Sequence, residues 1–339
     1  MLHLLYSAIT RWRRAHAEPR RLGRPVISVG NLAVGGRAKT PMAEHVARAL
    51  LAAGEQPAIL SRGYARGRNV DQPVVVRDAE SVRASIAESG DEPLMLAERL
   101  DGAIVVVSAD RARAGAVAEG LGATVHVLDD GFQHLRVARD IDLVMLDARD
   151  LRDAVLPGGR LREPLDALDH ADVIVVTADA AEERAGAAGA VREIPGAQVF
   201  TAARRTAPPP PDLTAESAFL VSALAGNAQF VDAVRAAGWR VAGTAGFKDH
   251  HRYSSADASG IAAKAATAGA AFCLTTAKDA VRLREVWRAD LPLHVAELTI
   301  AFDEPGALDR WLVERVAAVR RERADAERLR RQDGARRAS

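Results

Sequence analysis

Short runs of Val, Ile, Leu and Ala, none alternating with polar residues, recur along the first part of the chain and set the tightest limit on its fold. They are PVISVG (25–30), PAIL (57–60), PVVV (73–76), AIVVV (103–107), TVHVL (124–128), DLVML (142–146) and DVIVV (172–176). Each is strand-sized, and a strand without alternation must be covered on both faces. Helical stretches separate most of them, such as MAEHVARALLAA (42–53), closed by Gly54. The pattern predicts an open α/β domain of roughly 200 residues around a parallel sheet. Beyond the four prolines at 208–211 the rhythm resumes in AFLVSAL (218–224), WRVAGT (239–244), AAFCLTT (270–276) and LHVAELTI (293–300), with helices over 227–237 and 256–268. This predicts a second, smaller α/β domain. The expected division is 25–205 for the first domain, 206–213 for a Pro-rich linker, 214–319 for the second domain and 320–339 for a charged, disordered tail.

Lys and Arg number 46 against 45 Asp and Glu, a net charge of +1, which gives no electrostatic ground for nucleic-acid binding. The single cysteine, Cys273, excludes a disulfide framework and a cysteine zinc site. No apolar run reaches the roughly 18 residues of a membrane span. Residues 1–24 carry Leu2, Leu5, Ile9 and Trp12 at helical spacing, with Arg11, Arg13, Arg14, Arg20 and Arg21 among and after them. Such a helix either lies in an anionic membrane interface or docks on the protein's own core.

VGGRAKTP (34–41) sits between the first strand and the first helix of the sheet domain, the context of a phosphate-binding loop. There, backbone N–H groups and a helix N-terminus surround phosphates, a lysine adds charge and a hydroxyl reaches Mg²⁺. Gly35, Gly36, Lys39 and Thr40 supply these parts. Ala38 stands where such loops carry Gly, and is accommodated if its φ is negative and its methyl turns from the nucleotide. Arg37 either adds a charge to the phosphates or points into solvent. Asp129 and Asp130 end the TVHVL strand, where a carboxylate can reach Mg²⁺, though Asp-Asp-Gly is equally a turn signal. Asp91 and Glu92 open a helical stretch, as a base, a metal-shell pair or favourable first-turn acids. Asp249, His250, His251 and Tyr253 form a polar cluster after a strand, read as a base or orienting His paired with a carboxylate, or as a capped loop with exposed histidines. Arginines in LSRGYARGR (60–68), SADRARA (108–114) and LPGGRLREP (156–164) suit phosphate recognition or a solvated surface.

Taken in order, ISVGNLAVGGRAKTP, GDEPLMLA, VLDDGFQHLRVARDIDLVMLDA, LPGGRLREPLDAL, GTAGFKDHHRYSSAD and LTTAKDAVRL resemble the tetraacyldisaccharide 4'-kinases, the lipid A 4'-kinases of Gram-negative bacteria. The resemblance runs from about Pro25 to about Leu283. It implies a P-loop NTPase-like domain, a parallel sheet with helices on both faces, joined to a smaller α/β domain, with ATP between them. It implies transfer of the γ-phosphate of ATP, with Mg²⁺, to the 4'-hydroxyl of a lipid A disaccharide 1-phosphate precursor. The implied setting is the cytoplasmic face of the inner membrane, with peripheral attachment through the N-terminal helix to its anionic surface. No obligate protein partner is inferred.

The resemblance implies phosphate contacts from Gly35, Gly36, Arg37, Ala38, Lys39 and Thr40, and a metal shell of Thr40, Glu92, Asp129 and Asp130. Asp91 is similar to the family's catalytic base, with Asp249 and His250 orienting it from the second domain. Arg62, Tyr64, Arg111, His134, Arg162 and Glu163 fall in motifs that line the family's cleft. A base on one domain and its His on the other make catalysis conditional on closure. The family reads GGTGKT where this chain reads GGRAKT. Arg37 and Ala38 therefore leave open a catalytically silent nucleotide- or lipid-binding homologue, and a kinase for another membrane-bound hydroxyl is a third reading.

Overall fold

The computed structural model describes residues 2–63, 72–224, 226–249 and 251–338. Helix α1 (Leu2–Ala15) precedes β1 (Val26–Asn31), α2 (Lys39–Ala52), β2 (Pro57–Ser61), β3 (Val74–Arg77), α3 (Ile86–Ser89), α4 (Asp91–Arg99), β4 (Ile104–Val107), α5 (Arg111–Gly120) and β5 (Val125–Asp129). Then come β6 (Ile141–Asp147), β7 (Val173–Thr177), α6 (Ala181–Val191) and β8 (Gln198–Thr206). The smaller unit holds β9 (Ser217–Ser222), α7 (Asn227–Ala236), β10 (Arg240–Gly246), α8 (Ser255–Thr267), β11 (Phe272–Thr276), α9 (Ala277–Val286) and β12 (Leu293–Ala296). The chain closes with β13 (Leu298–Phe302) and α10 (Ala307–Ala338).

A nine-stranded sheet has the order β13-β8-β7-β6-β1-β5-β2-β4-β3, and a four-stranded sheet the order β10-β9-β11-β12. The inner strands are parallel, and β1, β5, β6 and β7 are buried along their whole length, which is why their sequences do not alternate. One face carries α2 and the start of α10, joined through Val29, Met42, Leu50, Leu308 and Leu312. The opposite face is covered by α6 beside β6 and β7, and by α5 beside β2 and β4. Gly30 is required where β1 passes Phe132, since a Cβ there would collide with the Phe132 Cβ.

The fold departs from the sequence reading in four places. PVVV forms β3, an antiparallel edge strand on β4 rather than a parallel one. QVFTAARRT forms β8, a strand the apolar pattern did not reveal, because its residues are only patchily buried. LHVAELTI breaks into two strands: Leu293–Ala296 pairs with β11, while β13 crosses to the large sheet and pairs antiparallel with β8, Leu298 opposite Thr206. Residues 298–319 thus belong with the first domain. Finally, the expected disordered tail continues α10, and Arg320 and Arg323 tie it to Glu55 and Asp140 at 2.6 Å each.

Helix α1 turns its polar side inward. Arg14 donates to Glu163 at 2.8 Å and lies over the Phe132 ring at 4.4 Å. Arg11 reaches Asp166 at 2.5 Å, but both are about half exposed, so this pair adds at most about 1 kcal/mol. Leu5, Ile9 and Trp12 stay exposed at 60%, 48% and 62%. Docking of that apolar stripe on the protein's own core is therefore not what the fold uses.

Candidate active site

β1 and β5 run parallel with Val29 opposite Asp129, so the loop after β1 and the acids after β5 meet at the C-terminal edge of the sheet. The loop leads directly into α2, whose first two residues are Lys39 and Thr40. Gly35 and Gly36 are exposed, and Gly35 has φ 99°. Lys39 Nζ donates to the Gly35 carbonyl at 3.4 Å and lies 3.7 Å from Asp130.

Two expectations about this loop are overturned. Ala38 has φ 57° and ψ 28°, the left-handed region, not a negative φ. The Arg37 side chain neither faces phosphate nor points to solvent. It is 6% exposed and its Nε and Nη2 donate to Asp150 at 3.2 and 2.5 Å. Asp147 lies 3.7 Å from its Nη1. Burial without partners would make this charge prohibitive, and two carboxylates at the end of β6 supply them. What Arg37 can offer an anion is its backbone N–H.

Asp129 is 5% exposed and its Oδ1 has no hydrogen-bond partner among the described residues. Burial, then repulsion from Glu92 and Asp130, push its carboxyl up to about 7, against the pull of Lys39 and Arg111. Asp130 stands at φ 53°, which Asp tolerates better than most residues. Both its oxygens are held by Arg162, at 2.8 and 3.1 Å. Burial raises its pKa, but the Arg162 hydrogen bonds, Lys39 and Arg111 outweigh this, and it lies below the usual carboxylate range. Arg162 is itself oriented by the Asn31 side chain and carbonyl.

Asp91 begins α4 after Gly90, whose φ of 87° lets the chain turn into the helix. It is 5% exposed and accepts the Glu92 N–H at 3.0 Å. Cations from α9 of the smaller unit face it: Arg282 at 3.4 Å and Lys278 at 3.9 Å, with Lys278 also donating to Glu92 at 3.2 Å. Arg282 is steadied by Asp279 at 2.6 Å, and Asp279 in turn accepts the Thr276 hydroxyl and the Ala223 N–H just after β9. Lys278 and Arg282 were not singled out from the sequence. The signal was present in TTAKDAVRL, where Thr276 caps a helix that places Lys and Arg four residues apart, on one face.

Arg111 is buried at the first turn of α5. It lies close enough to His134 to help hold that ring, with burial as the larger cause, down to about 4, so His134 is neutral at pH 7. The His134 Nε2 has no hydrogen-bond partner among the described residues. Glu163 is buried on Arg14, so it anchors α1 rather than opening into the cleft. Arg62 and Asp249 are exposed. Tyr64 and His250 lie outside the described residues.

No three His, Cys, Asp or Glu among the described residues are grouped to enclose a metal. Mg²⁺ does not require that, since it keeps waters and is held by one or two carboxylates plus phosphate oxygens. The orphaned, charge-crowded Asp129 fits such a cation.

Residues 1–317 match the family model described as tetraacyldisaccharide-1-P 4'-kinase. The tetraacyldisaccharide 4'-kinase of Geobacter metallireducens is 38% identical over 299 residues, 86% of this chain and 88% of that protein. The one from Anaeromyxobacter dehalogenans is 41% identical over 280 residues, 78% of this chain and 73% of that protein. Among solved structures, LpxK from Aquifex aeolicus, in complex with ATP, superposes with a TM-score of 0.74 at 29% identity, covering 93% of this chain and 97% of that one. By these matches the chain belongs to the tetraacyldisaccharide 4'-kinase family of phosphotransferases.

Proposed function

We propose that the chain moves the γ-phosphoryl group of ATP to the 4'-hydroxyl of a tetraacylated disaccharide 1-phosphate, with Asp91 as the general base. The observation that carries this reading is a buried carboxylate at the head of α4, faced by Arg282 and Lys278 from the smaller unit. Asp91 accepts the hydroxyl proton as the new O–P bond forms, and the bond from the γ-phosphorus to the bridging oxygen breaks to release ADP. The backbone of 35–40 and Lys39 hold the phosphates. Bound Mg²⁺ would neutralise charge that builds on the phosphate oxygens. Thr40, Asp129 and Glu92 would hold it, with Asp130 acting through Arg162 and Lys39.

The acceptor is a lipid, and the segment Arg162-Glu163 links the two requirements. Arg162 grips Asp130 in the cleft, while its neighbour Glu163 grips α1 through Arg14. Leu5, Ile9 and Trp12 would enter the cytoplasmic face of the inner membrane, on a chain in which no described helix is long and apolar enough to cross it.

The test is transfer of labelled γ-phosphate to tetraacyldisaccharide 1-phosphate in detergent micelles, with Asp91→Ala alongside. Turnover lost in Asp91→Ala supports the reading. An inactive native chain that regains turnover as Arg37→Thr/Ala38→Gly would mean that it binds nucleotide without using it.

A further inference from the structure

Left-handed backbone is unfavourable for a residue with a Cβ and persists only where the surroundings impose it. Ala38 occupies it at the head of α2 with no side-chain cap, so something else must hold the loop. Its neighbour Arg37 is the candidate. The guanidinium is buried between Asp150 and Asp147, and Asp150, 0% exposed, is itself fixed by accepting the Asp147 N–H at 3.2 Å. Arg149 grips Asp147 through two bonds of 2.7 Å. From β8, Arg204 donates to the Gly36 carbonyl at 3.4 Å and lies 3.5 Å from Asp147. The Gly36 carbonyl and the Arg37 side chain are thus both tied to the end of β6. With its guanidinium buried on Asp150 and Asp147, Arg37 acts on the loop through the backbone it positions.

We propose that Arg37 is a positioning residue: with Asp150 and Asp147, and with Arg204 on Gly36, it clamps the 35–38 backbone in the conformation that receives nucleotide phosphates, doing what a glycine at position 38 would do unaided. This rests on the phosphate-loop reading above. The clamp explains how a loop with alanine before its lysine holds that alanine at positive φ.

The full-length chain, Arg37→Gln, Ala38→Gly and the double variant are titrated with MgADP by calorimetry, with KM for ATP, KM for the lipid acceptor and Tm measured beside it. Arg37→Gln is expected to weaken MgADP at least tenfold and to raise KM for ATP in step, with the acceptor KM unchanged. Adding Ala38→Gly is expected to restore MgADP affinity to within threefold, because glycine adopts positive φ without help. A merely structural ion pair would lower Tm in both Arg37 variants and show no such recovery. Unchanged MgADP affinity in Arg37→Gln, or no recovery with glycine, overturns the proposal. If Arg37→Gln does not fold, Arg37→Lys carries the same expectation, since one ammonium cannot span both carboxylates as the guanidinium does. A native chain that binds MgADP but transfers no phosphate would overturn the kinase reading alone, and the clamp would still be judged on the MgADP affinities.

Discussion

Ala38→Gly should strengthen the protein while the same change eleven positions on, Ala49→Gly, weakens it. At Ala38, release from φ 57° returns about 1–2 kcal/mol. A glycine at the helix cap adds about 0.5 kcal/mol over alanine. Against this stand the looser unfolded chain, about 0.4–1 kcal/mol, and the lost burial of a methyl that packs in the core cluster, about 0.8 kcal/mol. The balance is a gain of about 0.5 kcal/mol. Ala49 lies inside α2 with ordinary helical surroundings, so glycine there costs about 1 kcal/mol. The two variants should therefore differ by about 1.5 kcal/mol, or roughly 2 °C in Tm. Urea denaturation and thermal melting of the two variants read this directly. Equal destabilisation by both would refute the reasoning, because it would mean that Ala38 bears no left-handed strain.

Without divalent cation, Asp129 holds its proton in the folded state up to about pH 7 but in the unfolded state only to about 3.8, so stability should fall as pH rises between those values and level off above them. Asp129→Asn should flatten that slope in chemical denaturation with EDTA, and an unchanged slope would assign it to other groups. Arg14→Met strands the buried Glu163 carboxylate and should free α1, seen as trypsin cleavage at Arg11 or Arg13 accelerated at least tenfold while the rest of the chain resists. Leu5→Ser/Ile9→Ser/Trp12→Ser should lower partitioning onto anionic vesicles by at least tenfold without changing Tm, since these side chains are exposed in the fold.

The parallel core was legible because fully buried strands such as DLVML need no alternation, and β1 followed by a Gly-Gly-x-x-Lys-Thr turn and an amphipathic helix admits few other readings. QVFTAARRT was not legible. Its arginines serve particular partners, Arg204 the Gly36 carbonyl and Asp147, and such partners leave no periodic trace. The positive φ of Ala38 was hidden for a similar reason. The residues that impose it lie 109 and 112 positions later, at Asp147 and Asp150, and only the adjacency of β1 and β6 brings them close. Asp91, Asp129 and Asp130 were read from local motifs, but the α9 cations that face Asp91 depend on how the smaller sheet sits. The last turns of α10 read as a solvated run, because the acids that hold Arg320 and Arg323 belong to distant loops.

The crossing of β13 to the large sheet has a consequence for motion. The smaller sheet leaves the larger one after Thr206 and returns at Leu298, and these two residues are ladder partners, with the Ala207 N–H bonded to the Glu297 carbonyl at 2.8 Å beside them. Two tethers this close act as a single door-post. Both strands of the β8–β13 ladder belong to the larger sheet, so swinging the smaller sheet about the line through the tethers breaks none of those bonds. Lys278 and Arg282, both on α9, would ride on that swing together. The two cations facing Asp91 and Glu92 would then approach and withdraw as one group.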